Sequence, residues 1–240
     1  MKISDNGLIL STSEFQEKLL LVKIFSENHG ILTAVARKPV AKQINNFNPA
    51  TLVKFQKFSR LPNQLGKLTI EPIKSYYSSI IFDKIKLYTF KVISNLILSA
   101  FSEYDAHRNS YITIIEFLEN LTTYKEFSWL NFCNLEISIL KESGYGIDIS
   151  KCVVTDEFNE LCYLSPKSGK AVSKKASKGY EHLLLPLPEF LVKQYEPKIE
   201  NKKNIIQALD LTEYFIKRYL WQEKNIEQEL LLRSSLKKLI

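Results

Sequence analysis

Residues 31–70, ILTAVARKPV AKQINNFNPA TLVKFQKFSR LPNQLGKLTI, carry seven Lys or Arg and not one Asp or Glu. Acids number 26 in the 240-residue chain, so their absence from this stretch is a segregation of charge. The apolar residues between the cations sit at strand spacing, first Ile31-Leu32-Thr33-Ala34-Val35-Ala36 and then Leu52-Val53-Lys54-Phe55-Gln56-Lys57-Phe58. The basic residues therefore belong to a folded sheet and not to a disordered tail. A basic β-surface bearing aromatic rings is a platform for a polyanion. The competing reading is a solvated lysine face.

Outward from this stretch, further short strands are expected at Leu8 to Leu10, Lys18 to Phe25 and Leu65 to Lys74, alongside Ile31 to Ala36 and Thr51 to Phe58. Asn6-Gly7, Asn28-His29-Gly30, Asn48-Pro49, Leu61-Pro62-Asn63 and Gly66 supply the breaks or bends. Five strands in so short a span suit a small barrel, of which the oligonucleotide-binding (OB) barrel is the best-known five-stranded form. Strand count alone leaves other small barrels open.

From Ser78 the periodicity turns helical, with Ile80, Ile81, Ile85, Tyr88, Val92, Leu96 and Phe101 at three- or four-residue spacing. Tyr111 to Leu121 and Phe127 to Lys141 predict two more helices, the second closed by Ser143-Gly144, where Gly takes the left-handed cap conformation. Between Gly144 and Leu185 the chain is irregular, with a hairpin expected between Val153-Val154 and Leu161 to Leu164. Leu185-Pro186-Leu187-Pro188 is a stiff entry to Glu189 to Tyr195, and Asn204 to Leu220 and Ile226 to Leu239 predict the closing helices. The fold class expected is α+β, with a barrel over 1–77 followed by a helical domain over 78–240 that packs against it.

The formal charge is +7, and residues 1–80 hold eleven Lys or Arg against five Asp or Glu, which places +6 of it in the first third. Such a local bias points to an anionic partner more than to general solubility. The 28 Lys against five Arg fit a compositional bias, so Arg37 and Arg60 weigh more, the planar guanidinium suiting phosphate and base. Three unpaired cysteines, Cys133, Cys152 and Cys162, fit a reducing compartment. The polar start after Met1, and the lack of any apolar run near ~20 residues, predict a soluble intracellular protein.

Signals for catalysis are poor. Gly169-Lys170 lacks the upstream Gly of a phosphate loop and carries Ala171 in place of a magnesium-binding Ser or Thr. His29, His107 and His182 are far apart, and Glu136, Glu142 and Asp148 are scattered singly. Cys152 and Cys162 supply at most half of a zinc site, so no metal and no cofactor is expected.

Several stretches resemble one family over nearly the whole chain. They are Asp5-Asn6-Gly7-Leu8-Ile9-Leu10, Glu17, Phe25-Ser26-Glu27-Asn28-His29-Gly30 and Val35-Ala36-Arg37-Lys38. More specific are Leu140-Lys141-Glu142-Ser143-Gly144-Tyr145-Gly146 through Cys152, Ser165-Pro166-Lys167-Ser168-Gly169-Lys170-Ala171-Val172-Ser173, and Leu184-Leu185-Pro186-Leu187-Pro188. These resemble the bacterial DNA recombination and repair family RecO, in its alphaproteobacterial form. The resemblance implies an N-terminal OB barrel, a helical domain and, over 145–180, a zinc-finger-like insertion. It implies binding of single- and double-stranded DNA and annealing of complementary strands. It also implies joint action with RecR, and often RecF, to load RecA on DNA coated by single-strand-binding protein (SSB), in the cytoplasm at the nucleoid. Many relatives carry four cysteines in the insertion. Here Thr155 stands where the partner of Cys152 belongs, so the zinc is not carried over, and Val153, Leu161, Tyr163 and Val172 are expected to replace it by packing.

The DNA-contacting candidates on the barrel are Arg37, Lys38, Lys42, Lys54, Lys57, Phe58, Arg60 and Lys67, and on the insertion Lys167, Lys170, Lys174 and Lys175. Arg37, Lys38 and Lys42 lead, while Lys54, Lys57 and Lys67 are each also readable as merely solvated. Alternation puts Phe55 with Val53 in the core and Phe58 with Lys54 and Gln56 on the surface, as the stacking candidate. The acidic, Phe-ended SSB tail calls for a basic rim around an apolar groove, expected in the helical domain.

Overall fold

A computed structural model describes residues 1–39, 45–61, 64–197, 201–221 and 226–240. Five strands, β1 (Lys2–Gln16), β2 (Leu19–Ser26), β3 (Gly30–Arg37), β4 (Thr51–Phe58) and β5 (Gly66–Ser75), close into a barrel in the order β1-β2-β3-β5-β4. All neighbours are antiparallel except β3 and β5, which run parallel at Ala34↔Gly66 and Val35↔Lys67. This is the OB arrangement, and helices follow it.

The barrel interior is filled by Ile3, Ile9, Val22, Ile24, Leu32, Ala34, Val53, Phe55 and Leu68. Alternation along β4 is clean: Thr51, Val53, Phe55 and Lys57 are buried, and Lys54 and Phe58 are exposed. It fails on β1, where Leu8, Ile9 and Leu10 are all buried. Ile9 lines the barrel, while Ser94 Oγ of α2 (Lys84–Ala100) donates to Leu10 O at 3.0 Å, so that side of β1 lies under a helix. Similarly, Phe25 stacks on Phe101 with centroids 5.6 Å apart. Helices thus cover one side of the barrel, and the clean alternation marks the side left open.

The expected long helix from Ser78 is two helices. A short α1 (Tyr77–Ile81) ends before Asp83, whose side chain accepts from Lys86 N at 3.1 Å and caps α2. Next come α3 (Arg108–Thr123) and α4 (Trp129–Glu142). Residues 1–125, comprising the barrel and α1 to α3, form one compact unit, and residues 126–240 form another.

In the second unit the hairpin differs from expectation. Strand β6 (Leu161–Leu164) pairs with β7 (Ala171–Ser173) and β8 (Leu185–Pro186), and Val153-Val154 lies in a turn. The turn is set by Cys152, whose carbonyl accepts from Asp156 N at 3.0 Å and whose N–H donates to Glu157 O at 2.8 Å. Helices α5 (Glu189–Lys193), α6 (Lys202–Tyr219) and α7 (Ile226–Lys237) complete the unit. Buried Arg233 of α7 holds α4 and α6 together: its Nη2 donates to Glu136 Oε2 at 3.2 Å, Leu209 O at 3.1 Å and Thr212 Oγ1 at 3.0 Å. Among the described residues, no helix is long and apolar enough to cross a membrane.

Candidate nucleic-acid interface

The open side of the barrel is built from the outward positions of β1, β4 and β5, and the register lines them up in rows. Asn6, Lys54 and Glu71 share one row, Ser4, Gln56 and Thr69 the next, and Lys2, Phe58 and Lys67 the last. The parallel pairing carries the last row onto β3 at Val35, which pairs in turn with Leu21 of β2. Side chains in one row stand on the same face within reach of one another. Phe58 is 44% exposed, and Lys2 Nζ stands 5.4 Å from the centre of its ring, a cation–π contact. Met1, Lys2, Phe58, Ser59 and Arg60 line an open depression of about 450 Å³ beside it. An aromatic face, an adjoining hollow and cations on both sides are what a nucleobase with its phosphates requires.

The barrel candidates take different places around this face. Lys67 flanks Phe58 directly, and exposed Arg60 follows it in the β4–β5 loop. Lys54 is exposed but shares its row with Glu71, which offsets its charge. Arg37 is exposed at the end of β3, on the face of Val35. Lys38 is tied to Glu14 at 2.8 Å, and the ammonium holds that carboxyl below its usual range. Lys42 lies outside the described residues.

Lys57 requires a correction, because it points into the barrel and is 2% exposed. Its ammonium lies 4.9 Å from the centre of the Tyr104 ring and donates to Tyr104 Oη. Gly66 leaves the room it needs, since a Cβ there would come within 3.0 Å of Lys57 Cε. Tyr104 is brought over the barrel end by the α2–α3 loop, with Tyr104 N donating to Ile31 O at 3.1 Å. A phosphate on the surface does not reach Lys57, so it leaves the candidate set. Sequence reasoning also missed Lys2, although Lys2, Ser4 and Asn6 alternate with buried Ile3 in the same way as β4.

On the second unit, Lys167 and Lys170 stand exposed in the β6–β7 turn, and Lys174 and Lys175 stand exposed after β7. The turn is closed by Ser165 N to Lys170 O and Gly169 N to Ser165 O, both 2.9 Å, with Gly169 at φ +67°. The residues do not fit a four-ligand zinc centre. Among the described residues no group of three or more His, Cys, Asp or Glu side chains is placed to hold a metal ion. Cys152 is buried, with Ser173 N donating to its sulfur at 3.3 Å. Burial pushes its thiol up, but hydrogen bonds from Ser173 and Thr155 outweigh this and bring it down to about 6. Of the four residues expected to pack in place of the metal, Leu161 and Val172 are buried and Tyr163 is half-buried, whereas Val153 is 43% exposed.

Comparison with known proteins bears on both units. Residues 1–76 match the family model described as recombination protein O N terminal, and residues 82–225 match recombination protein O C terminal. The chain is 36% identical over 222 residues to the DNA repair protein RecO of Rickettsia bellii (strain OSU 85-389), covering 92% of this chain and 90% of that protein. It is 37% identical over 223 residues to that of Rickettsia typhi, covering 92% of each. To that of Rickettsia felis it is 34% identical over 242 residues, covering 98% of this chain and all of the relative.

Proposed function

Because the chain belongs to the RecO family of DNA repair proteins, we propose that it serves without catalysis as a recombination mediator. In this reading it binds single- and double-stranded DNA, anneals complementary strands, and acts with RecR, as relatives often also do with RecF, to help load RecA on SSB-coated DNA. The observation that carries the reading is the exposed row Lys2–Phe58–Lys67 with Arg60 beside its hollow.

The chemistry follows from that row. Lys2, Arg60 and Lys67 neutralise phosphates and release the counterions condensed on them, a gain in entropy that falls as salt rises. Phe58 offers a face to one base, worth ~1–3 kcal/mol. Neither contact engages the Watson–Crick edges, so a held strand remains free to pair, which is the requirement for annealing. Lys167, Lys170, Lys174 and Lys175 add phosphate contacts on the second unit.

The test is annealing of complementary strands coated with SSB, with and without RecR. Acceleration by the protein, raised further by RecR, is expected. Equal affinity for RNA with no annealing would instead make the chain an OB-type RNA-binding protein, and turnover of a nucleotide or nucleic acid would make it an enzyme.

A further inference from the structure

Helix α4 ends in a motif that fixes one aromatic ring. Gly144, at φ +86°, lets its own N–H reach Lys141 O at 3.0 Å and the next, Tyr145 N, reach Leu140 O at 2.9 Å. This pair of bonds is the Schellman closure, and only glycine takes that backbone without strain. The closure sets Tyr145 against Tyr219 of α6, with centroids 4.6 Å apart and planes 4° from parallel. Tyr219 is backed by the Arg218 guanidinium, 5.4 Å from its centroid, and by Phe215 at 6.1 Å. Tyr145 is the exposed end of this stack, 40% open to solvent.

The cations around the stack are placed by the same contacts. Arg218 Nη1 donates to Pro166 O at 2.7 Å, which holds the turn carrying Lys167 and Lys170 beside α6. That turn also lies against the residue after Tyr145, since a Cβ at Gly169 would stand 3.1 Å from Gly146 O. Lys141 approaches Gly146 from α4. Gly144 and Gly146 flank Tyr145 without side chains, and a Cβ at Gly144 would meet nothing within 4 Å. Of the nearby acids, Asp148 is turned to Ser150 N at 3.0 Å, and Glu142 is exposed on α4.

We propose that Tyr145, stacked on Tyr219 and accompanied by Arg218, Lys167, Lys170 and Lys141, is a stacking site for single-stranded DNA carried by the second unit independently of the barrel. It rests on the proposed function only for the identity of the ligand. A ring stacked on Tyr219 and still 40% exposed extends by one more ring, and the cations meet the phosphates on either side of the stacked base. The site takes an unpaired base, because in a duplex both faces of each base are already covered. One chain then holds a strand on each of its units, a useful property in a protein that brings two strands together.

The test uses the full chain, a labelled oligo(dT) and a duplex of equal length, with affinities read by fluorescence anisotropy. Tyr145→Ala lowers affinity for the single strand about 5- to 150-fold, the loss of one base–aromatic stack. Tyr145→Phe retains it, and affinity for the duplex is unchanged in both. Tyr145→Leu keeps apolar packing on Tyr219 without a π-face, so it too loses single-strand affinity about 5- to 150-fold and reads the site should the alanine variant fail to fold. Single-strand affinity unchanged in the alanine and leucine variants, or a parallel loss for the duplex, overturns the site. The barrel reading is tested separately by substitutions around Phe58, and a wild-type chain that binds neither DNA overturns both.

Discussion

Replacing Lys2, Arg60 and Lys67 together by alanine removes the exposed cations nearest Phe58 and leaves the barrel core untouched. Each phosphate neutralised by a cation contributes about −0.7 to the slope of log K against log salt for a single strand. Three contacts therefore account for about 2.1 of the slope, and raising salt about fourfold, from ~50 to ~200 mM, costs the wild type about 18-fold more affinity than the triple variant. Anisotropy titrations of a labelled oligo(dT) across that range measure it directly. Phe58→Ala is the complementary perturbation, lowering affinity at every salt concentration by about 5- to 150-fold while keeping the slope. Lys57→Met is the internal control, because a buried ammonium releases no counterions, and its slope matches the wild type. An unchanged slope in the triple variant, or a loss in Lys57→Met equal to one surface lysine, refutes the assignment of this face.

Two further outcomes follow from the packing. Arg233→Met alone leaves the Glu136 carboxylate buried without its partner and costs about 3–5 kcal/mol, whereas Arg233→Met with Glu136→Leu is near neutral. Urea titration of both variants distinguishes them, and equal destabilisation by single and double substitution refutes the pairing argument. Burial pushes the Asp5 carboxyl up, but hydrogen bonds from Ser26 Oγ at 2.5 Å, Asn28 N at 2.8 Å, His29 and Asn28 Nδ2 more than offset it, leaving the group below its ordinary 3.8. A depressed carboxyl stabilises the fold above the unfolded value and loses that contribution as pH falls through the folded one. Asp5→Asn is therefore less stable than wild type by about 1.5–3 kcal/mol at pH 6, and the gap narrows below about pH 4. A gap that does not close on acidification removes the ionised carboxyl from the account.

Much of the barrel was legible because a strand with one face in the core prints its period on the sequence. Thr51 to Phe58 is the clearest case, the expected and observed bounds coinciding. The same alternation separated Phe55, 1% exposed, from Phe58. Lys57 has the parity of Val53 and Phe55, so periodicity places it in the core although its charge favours the surface. Strand β1 runs for fifteen residues where the apolar pattern marks only Leu8 to Leu10, because its first half alternates and its middle is buried on both faces. No single period describes such a strand.

The amino-acid sequence by itself determined the order of strands before helices, the bounds of a strand with one clean buried face such as β4, the concentration of charge in residues 31–70, and the glycine closure after α4. These are local properties, written in side-chain period, in composition and in the backbone freedom of one residue. The tertiary structure alone decided which cations share a surface. Lys2 and Lys67 lie far apart in sequence and meet on either side of Phe58 through the strand register, while the parallel β3–β5 pairing extends their row to Val35. Likewise Tyr145 and Tyr219 become one stack only when α4 and α6 pack. Register and helix packing are set by long-range contacts among many residues, and a linear pattern holds no record of who stands opposite whom.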